Sequence, residues 1–496
     1  MPILHVGART LDSHDLTDRA HRLAGGLRAL GLNEGDVVAV VLRNSVEYAD
    51  VINAGKIAGT YYCPVNWHFT PEEIGAQIAD CGARVVIGHG DLLSAAAAAL
   101  PGDATLLSVG DGGPPSAQNY DRWLAEQATY DGPEVAPRGH IAYTSGTTGR
   151  PKAVVRGVFP PEERSWRLQR MQDVVEATFG IKPGCRVLMP APIYHSGPSV
   201  IMQNALTQAE VVVVHERFDA EAVLADIERH KIDTLYLVPV MYVRMLRLPA
   251  ETRAKYDVST LRFVGSTGAP CAPDIKRAMI DWFGPIINET YASSEAGMVT
   301  VIGAEEALAR PGSAGRAIPG AEVKIFREDH TPADVGEVGL IYVRQPAYPD
   351  FTYRDNDQAR QEIEHAGMIS LGDLGYLDDE DYLYVCDRAS DMVISGGVNI
   401  YPAEVENRLL ARADIADCAV FGVPDAEFGE RLHAVVQPVG SAPLDASELI
   451  EWMRAGLASY KVPRSIEIAE LPRDDNGKIA KRKLRASYWE GQERRV

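Results

Sequence analysis

The sequence predicts an α/β fold: a large N-terminal domain of layered α/β subdomains with a small β unit, followed by a small α+β C-terminal domain. Three observations carry this prediction. At 496 residues the chain is too long for one small domain. Short apolar runs alternate with helix-like stretches over most of its length, the pattern of α/β layers with largely parallel sheets. The texture then changes near residue 388, where shorter helices and strands follow one another in a different rhythm.

Taken in order, Leu16, Leu23, Leu27 and Leu30 fall at helical spacing over residues 14–30, and Gly31 ends that helix. Val37 to Leu42 reads as a buried strand. Similar apolar runs recur at 84–87, 187–189, 211–214 and 234–238, with helical segments between them. The alanine run Ala95–Ala99 is expected to be helical. Residues 321–327 and 339–344 look like strands of the small β unit. Beyond them, 402–411 reads as a helix, 416–423 and 433–438 as strands, and 447–457 as a helix. The expected division is 1–387, a hinge at 388–391, and 392–496.

Composition narrows the partners. A formal net charge of −20 argues against nucleic acid or an anionic membrane, which are held by Lys and Arg. It does not exclude a nucleotide, which needs only a local cluster of donors. The six cysteines, at 63, 81, 185, 271, 386 and 418, form neither a zinc-type pair nor a disulfide framework. The N-terminus has no charged start followed by an apolar run, and no apolar stretch approaches the ~20 residues that span a bilayer. The expectation is a cytoplasmic protein without an integral membrane segment, with a homodimer as the default assembly.

The strongest local signal is Tyr143-Thr-Ser-Gly-Thr-Thr-Gly-Arg-Pro-Lys152. Four hydroxyls and two glycines make up Thr144, Ser145, Gly146, Thr147, Thr148 and Gly149. Glycines let backbone N–H groups approach phosphate oxygens, hydroxyls donate, and Lys152 or Arg150 neutralises charge. The spacing is not that of a Walker A loop, because Pro151 stands where its last glycine should be. A plain Ser/Thr/Gly turn is the bland alternative, and the density of this run weighs against it.

This loop resembles the signature of the adenylate-forming superfamily, which includes acyl- and aryl-CoA ligases, luciferase and nonribosomal adenylation domains. Further motifs follow in the same order over nearly the whole chain. Asn288 to Gly297 resembles the second core motif. There the resemblance implies that Tyr291 packs on adenine, Ser294 bonds the α-phosphate and Glu295 holds Mg²⁺, with Thr144 as its companion in the metal and catalytic set. Ala292 and Ser294 depart from the usual Gly and Thr while keeping the needed chemistry. The segment Gly265-Ser-Thr-Gly-Ala-Pro270 resembles the one that lines adenine and the acyl pocket, so Gly268, Ala269 and Pro270 are expected at the nucleotide and Gly265, Tyr242 and Ala292 at the acyl group. Asp373 and Arg388 match the ribose-binding positions. Asn476-Gly-Lys478 resembles the loop of the catalytic lysine. Pro192-Ile-Tyr-His195 resembles the pocket entrance, and Ser395, Gly396 and Gly397 the pantetheine tunnel. The basic run Lys481, Arg482, Lys483 and Arg485 reads as a solvated face rather than as a seat for CoA phosphates.

The resemblance implies an ATP-dependent acid–thiol ligase using Mg²⁺ and coenzyme A. A carboxylic acid displaces pyrophosphate from ATP, the C-terminal domain turns about the hinge, and CoA displaces AMP. Ser390 departs from the Asp or Lys usual at the pivot. The alternatives are a carrier-protein-loading adenylation enzyme, a luciferase-like oxygenase and a non-catalytic nucleotide or acyl sensor. No acid lies in 195–202 to pair an amino-acid ammonium, and a sensor has no need to keep both Glu295 and Lys478. The apolar candidate pocket segments favour an apolar chain or ring over acetate.

Overall fold

The computed structural model describes residues 1–144, 151–269, 271–396, 398–440, 443–473 and 479–490. Of the expected site residues, Ser145, Gly146, Thr147, Thr148, Gly149, Pro270, Gly397 and Lys478 lie outside them. The chain divides into two compact units. One comprises Met1–Cys271, Ile275–Glu322 and Arg344–Glu364, and the other Ala272–Asp274, Val323–Val343 and His365–Val496. The expected hinge, 388–391, falls within the second.

The first unit holds two largely parallel sheets. One runs Tyr61–Pro64, Val37–Val41, Val85–His89, Thr105–Val109, Gln118–Asn119, all parallel. The other runs Ile287–Glu289, Phe263–Ser266, Thr234–Leu237, Arg186–Met189, Val211–Val214, Ile3–Val6, all parallel, and closes with antiparallel Arg9–Leu11. Every residue of Val37–Val41 and of Val211–Val214 is buried. Strands covered on both faces carry unbroken apolar runs rather than alternation, which is why these segments stand out in the sequence. The covering helices follow local rules. Asp12 caps Ser13–Ala29 by accepting the His14 and Asp15 N–H groups, and Leu16, Ala20, Leu23 and Leu27 form its buried stripe. A third, antiparallel sheet joins Phe351–Tyr353, Lys152–Arg156 and Ala142–Thr144.

In the second unit, Gly339–Arg344, Met368–Leu377 and Leu383–Arg388 pair antiparallel. A further sheet runs Val398–Ile400, Val393–Ser395, Gly429–Pro438, Ile415–Asp425, with Ser465–Ile468 parallel to Gly429–Pro438. Helices Pro402–Leu410 and Ala446–Arg454 cover it through Val405, Leu409, Leu449 and Met453, which pack with Val393, Val420 and Val436.

Three expectations need correction. The helix expected through Ala99 is Gly90–Ala96 and stops there. Ala97–Ala99 turn instead and bring the Ala99 carbonyl so close to Gly75 that a Cβ there would lie 2.2 Å from its oxygen. The helix expected over 447–457 ends at Arg454, because Gly456 packs under the Arg408 guanidinium, 2.7 Å from where a Cβ would sit. The C-terminal strands are longer than expected, since Ile415–Asp425 and Gly429–Pro438 form one hairpin. All six cysteines are free thiols. No helix among the described residues is long and apolar enough to cross a membrane.

Candidate active site

Four of the expected site segments share one structural address. His195 follows Arg186–Met189, Tyr242 follows Thr234–Leu237, Gly268 follows Phe263–Ser266, and Tyr291 to Glu295 follow Ile287–Glu289. These four strands are consecutive neighbours in the parallel sheet. Each segment therefore leaves the carboxyl end of its strand, where open α/β sheets bind ligands.

Glu295 sits at the tip of a tight hairpin. Ala292 and Ser293 pair with Met298 and Gly297, leaving Ser294, Glu295 and Ala296 as the turn. Gly297 has φ +78°, and a Cβ there would lie 2.5 Å from the Tyr348 ring, so only glycine closes this turn. Half-buried Arg156 fixes the tip from behind, donating to the Ser294 carbonyl at 2.8 Å and the Glu295 carbonyl at 2.7 Å. Its ring neighbours are Tyr348 and Phe351.

The Glu295 carboxylate is held forward of that anchor. Its Oε1 accepts from Thr144 Oγ1 at 3.0 Å and from the Tyr353 hydroxyl at 3.1 Å. Thr144 ends one strand of the three-stranded sheet and pairs directly with Lys152, so both stems of the 145–151 loop are fixed. The Lys152 ammonium lies 4.9 Å from the Tyr353 ring centroid. Burial, reinforced by Glu295, pushes the Tyr353 phenol well above its ordinary value, which keeps it a neutral donor to the carboxylate. Beside the loop, Tyr143 donates to Asp80 at 2.5 Å.

A carboxylate and a hydroxyl 3.0 Å apart, beside a lysine, are hard oxygen donors of the kind Mg²⁺ accepts next to phosphate. Among the described residues no three His, Cys, Asp or Glu side chains converge as a closed metal cage. The donor set thus suits a cation that takes its remaining ligands from a nucleotide and water.

The residues expected to border the acyl group are held differently. Gly197 lies at the start of helix Ser196–Gln208, facing Tyr236 and Thr267: a Cβ there would sit in ordinary contact with the Tyr236 hydroxyl at 3.5 Å and Thr267 Cγ2 at 3.6 Å. His195 is the N-cap residue of this helix, its ring 4.3 Å from that of Tyr194. Behind it, His140 bonds Ser196 Oγ at 2.9 Å and Gln203 Nε2 at 3.1 Å. Thr267 bonds the Thr290 carbonyl at 2.9 Å, which ties the 265–269 segment to the strand leading to Tyr291. Tyr242 is fully buried, beside Ser266. Gly265 serves packing: a Cβ there would press on Phe179 at 2.9 Å.

In the second unit, Asp373 and Arg388 are cross-strand partners, with Arg388 Nε 3.5 Å from Asp373 Oδ1. Gly396 has φ +59°, donates to the Phe428 carbonyl at 2.8 Å and leaves no room for a Cβ beside the Phe428 ring. The basic run after Lys478 is not a solvated face throughout. Lys481 pairs with buried Glu406 at 2.7 Å, and Arg485 with Asp391 at 3.4 Å. Charge alone misled the sequence reading here, because both acids lie more than seventy residues away. Arg156 and Tyr353 were also missed. Their partners are 139 and 58 residues distant, and neither belongs to a recognisable motif.

Residues 2–348 match the model of the AMP-binding enzyme family, and residues 404–478 that of the AMP-binding enzyme C-terminal domain. The chain belongs to the AMP-binding enzymes. Relatives of this AMP-binding enzyme include a feruloyl-CoA synthase from an Amycolatopsis species, 33% identical over 490 residues, spanning 97% of this chain and 95% of the relative. An indoleacetate–CoA ligase of Aromatoleum aromaticum is 31% identical, spanning 96% and 93%. Among solved structures, the o-succinylbenzoate coenzyme A synthetase of Bacillus subtilis in complex with ATP and magnesium superposes with a TM-score of 0.84 at 26% identity, covering 97% of this chain and 96% of that one.

Proposed function

We propose that this AMP-binding enzyme is an ATP-dependent acid–CoA ligase acting on a carboxylic acid with an aromatic or other bulky apolar body. The observation that carries the reading is the Thr144–Glu295–Tyr353 cluster, whose carboxylate sits on the hairpin that follows strand Ile287–Glu289 of the parallel sheet. Relatives active on ferulate and indoleacetate support the aromatic acid.

In the first half-reaction the acid's carboxylate oxygen attacks the α-phosphorus of ATP, and the bond to pyrophosphate breaks. Glu295 and Thr144 would hold Mg²⁺, which would supply neutralisation of phosphate charge. Lys152 and the 145–149 segment steer the phosphates, Tyr291 and Gly268 to Pro270 receive adenine, and Ser294 bonds the α-phosphate. Asp373 accepts the ribose hydroxyls and Arg388 donates to them. Lys478 balances the negative charge that moves from the carboxylate to phosphate. His195, Tyr242, Gly265 and Ala292 border the acyl group.

In the second half-reaction the residues after the hinge turn, Lys478 withdraws, and Ser395 to Gly397 guide the pantetheine arm. The CoA thiol attacks the acyl carbonyl, the thiol proton is released, and AMP leaves with its oxygen. The enzyme works in the cytoplasm, with no nucleic acid or membrane partner. The test is to follow pyrophosphate release across a panel of aryl, arylalkyl and fatty acids, with and without CoA. Acid-dependent pyrophosphate release without any acyl-CoA product would leave adenylation standing and remove CoA as the acceptor.

A further inference from the structure

The residues around 388–391 are clasped from two sides. Asp387 is the last residue but one of strand Leu383–Arg388, which leads into the hinge, and is half-buried. Its Oδ1 accepts the Arg388 N–H at 2.8 Å. Its Oδ2 reaches past the hinge and accepts the Ala403 N–H at 3.0 Å, in the first turn of helix Pro402–Leu410. One side chain thus ties the segment before the hinge to the segment after it.

The second grip comes from helix Lys481–Ala486. Its Lys481 is anchored on Glu406 by two contacts, at 2.7 and 2.9 Å, and Glu406 in turn accepts the Val420 N–H at 2.6 Å. One turn further along the same helix, Arg485 Nη1 donates to the Ser390 carbonyl at 3.1 Å and faces Asp391 Oδ1 at 3.4 Å. The hinge itself is a turn in which the Arg388 carbonyl accepts the Asp391 and Met392 N–H groups at 2.9 and 3.1 Å.

Both grips depend on hinge geometry. Changing the torsions of 389–391 swings the Ser390 carbonyl away from Arg485 and carries Ala403 away from Asp387. A contact made in one orientation and lost in the other shifts the population between them. Ser390 has no charged side chain of its own for this purpose, and the charge is supplied by its neighbour Asp391 and, from outside the turn, by Arg485.

We propose that Asp387 and Arg485 are positioning residues that clasp the hinge in one orientation and so set the balance between adenylation and thioesterification. The proposal rests on the reading that the two half-reactions use different orientations of the residues after the hinge.

The test measures the two half-reactions separately in the full-length enzyme: acid-dependent ATP–pyrophosphate exchange, and conversion of synthetic acyl-adenylate to acyl-CoA. Arg485→Ala and Asp387→Ala should each change the ratio of the two rates by about fivefold or more, in the same direction, as expected for loss of a charge-assisted hydrogen bond. Arg485→Lys, which keeps a cationic donor, should return most of the Arg485→Ala change. If Arg485→Ala does not fold, Asp391→Asn takes its place. A ratio that stays constant, whether both rates fall together or neither moves, overturns the proposal, as do shifts of opposite sign. Absence of both half-reactions in the unmodified enzyme would instead refute the functional reading, so the two failures are distinct.

Discussion

Thr144 Oγ1 lies 3.0 Å from Glu295 Oε1, although 151 residues separate the two in sequence. The contact joins the mouth of the hydroxyl–glycine loop to the tip of the 292–298 hairpin. Glu295→Gln keeps the shape and removes the charge. Arg156 grips only backbone carbonyls at this tip, so the hairpin should stay folded and the melting temperature should change little. Adenylation should fall about a hundredfold, with a higher Mg²⁺ requirement, since a neutral amide is a poorer partner for a hard dication. An unchanged Mg²⁺ titration would remove Glu295 from the site.

The Asp373–Arg388 pair gives a prediction about the nucleotide alone. Asp373→Ala removes the acceptor while leaving Arg388 on its strand. The KM for ATP should rise about tenfold, the cost of losing hydrogen bonds to a charged group, with the KM for the acid nearly constant. Equal rises in both would point to a general disturbance of the second unit.

Lys478 lies outside the described residues, and its role is tested by function. Lys478→Ala should lower adenylate formation by about a thousandfold, the upper range for deleting one group that stabilises transition-state charge. Thioester formation from supplied acyl-adenylate should remain near the unmodified rate. A variant that adenylates normally would dismiss this assignment.

His140 links pH to stability through its place behind helix Ser196–Gln208. Burial, with Arg156 adding to it, lowers its pKa from the ordinary 6.5 to about 4. Between these values the unfolded chain binds a proton that folded His140 refuses, so stability is full above pH 6.5 and falls as pH drops toward 4. The loss should reach about 1 kcal/mol at pH 5.5. It should be visible as a lower denaturant midpoint, and His140→Gln should flatten this part of the profile. Equal pH dependence in both proteins would assign the effect elsewhere.

Much of this architecture was legible because burial on both faces writes itself as unbroken apolar runs such as Val211–Val214. Thr144 and Glu295 were legible as motif residues, and their meeting follows from two turns that each need particular residues. Tyr353 and Arg156 were not legible, because their roles arise from an antiparallel sheet that joins residues about two hundred positions apart. Lys481 and Arg485 looked like a solvated basic run for a similar reason. A charge cluster discloses nothing of the distant acids, Glu406 and Asp391, that absorb it. The early end of the alanine helix at Ala96 reflects packing against Gly75, which propensity does not register.

The central claim is that this chain joins a carboxylic acid to CoA through an acyl-adenylate. It is tested most directly by incubating the purified enzyme with ATP, Mg²⁺, CoA and single acids, and quantifying AMP, pyrophosphate and acyl-CoA together. The account predicts equal amounts of all three products, formed fastest with an aryl or arylalkyl acid and much more slowly with acetate. Formation of ADP and phosphate in place of AMP and pyrophosphate, or nucleotide cleavage that no acid stimulates, would contradict it.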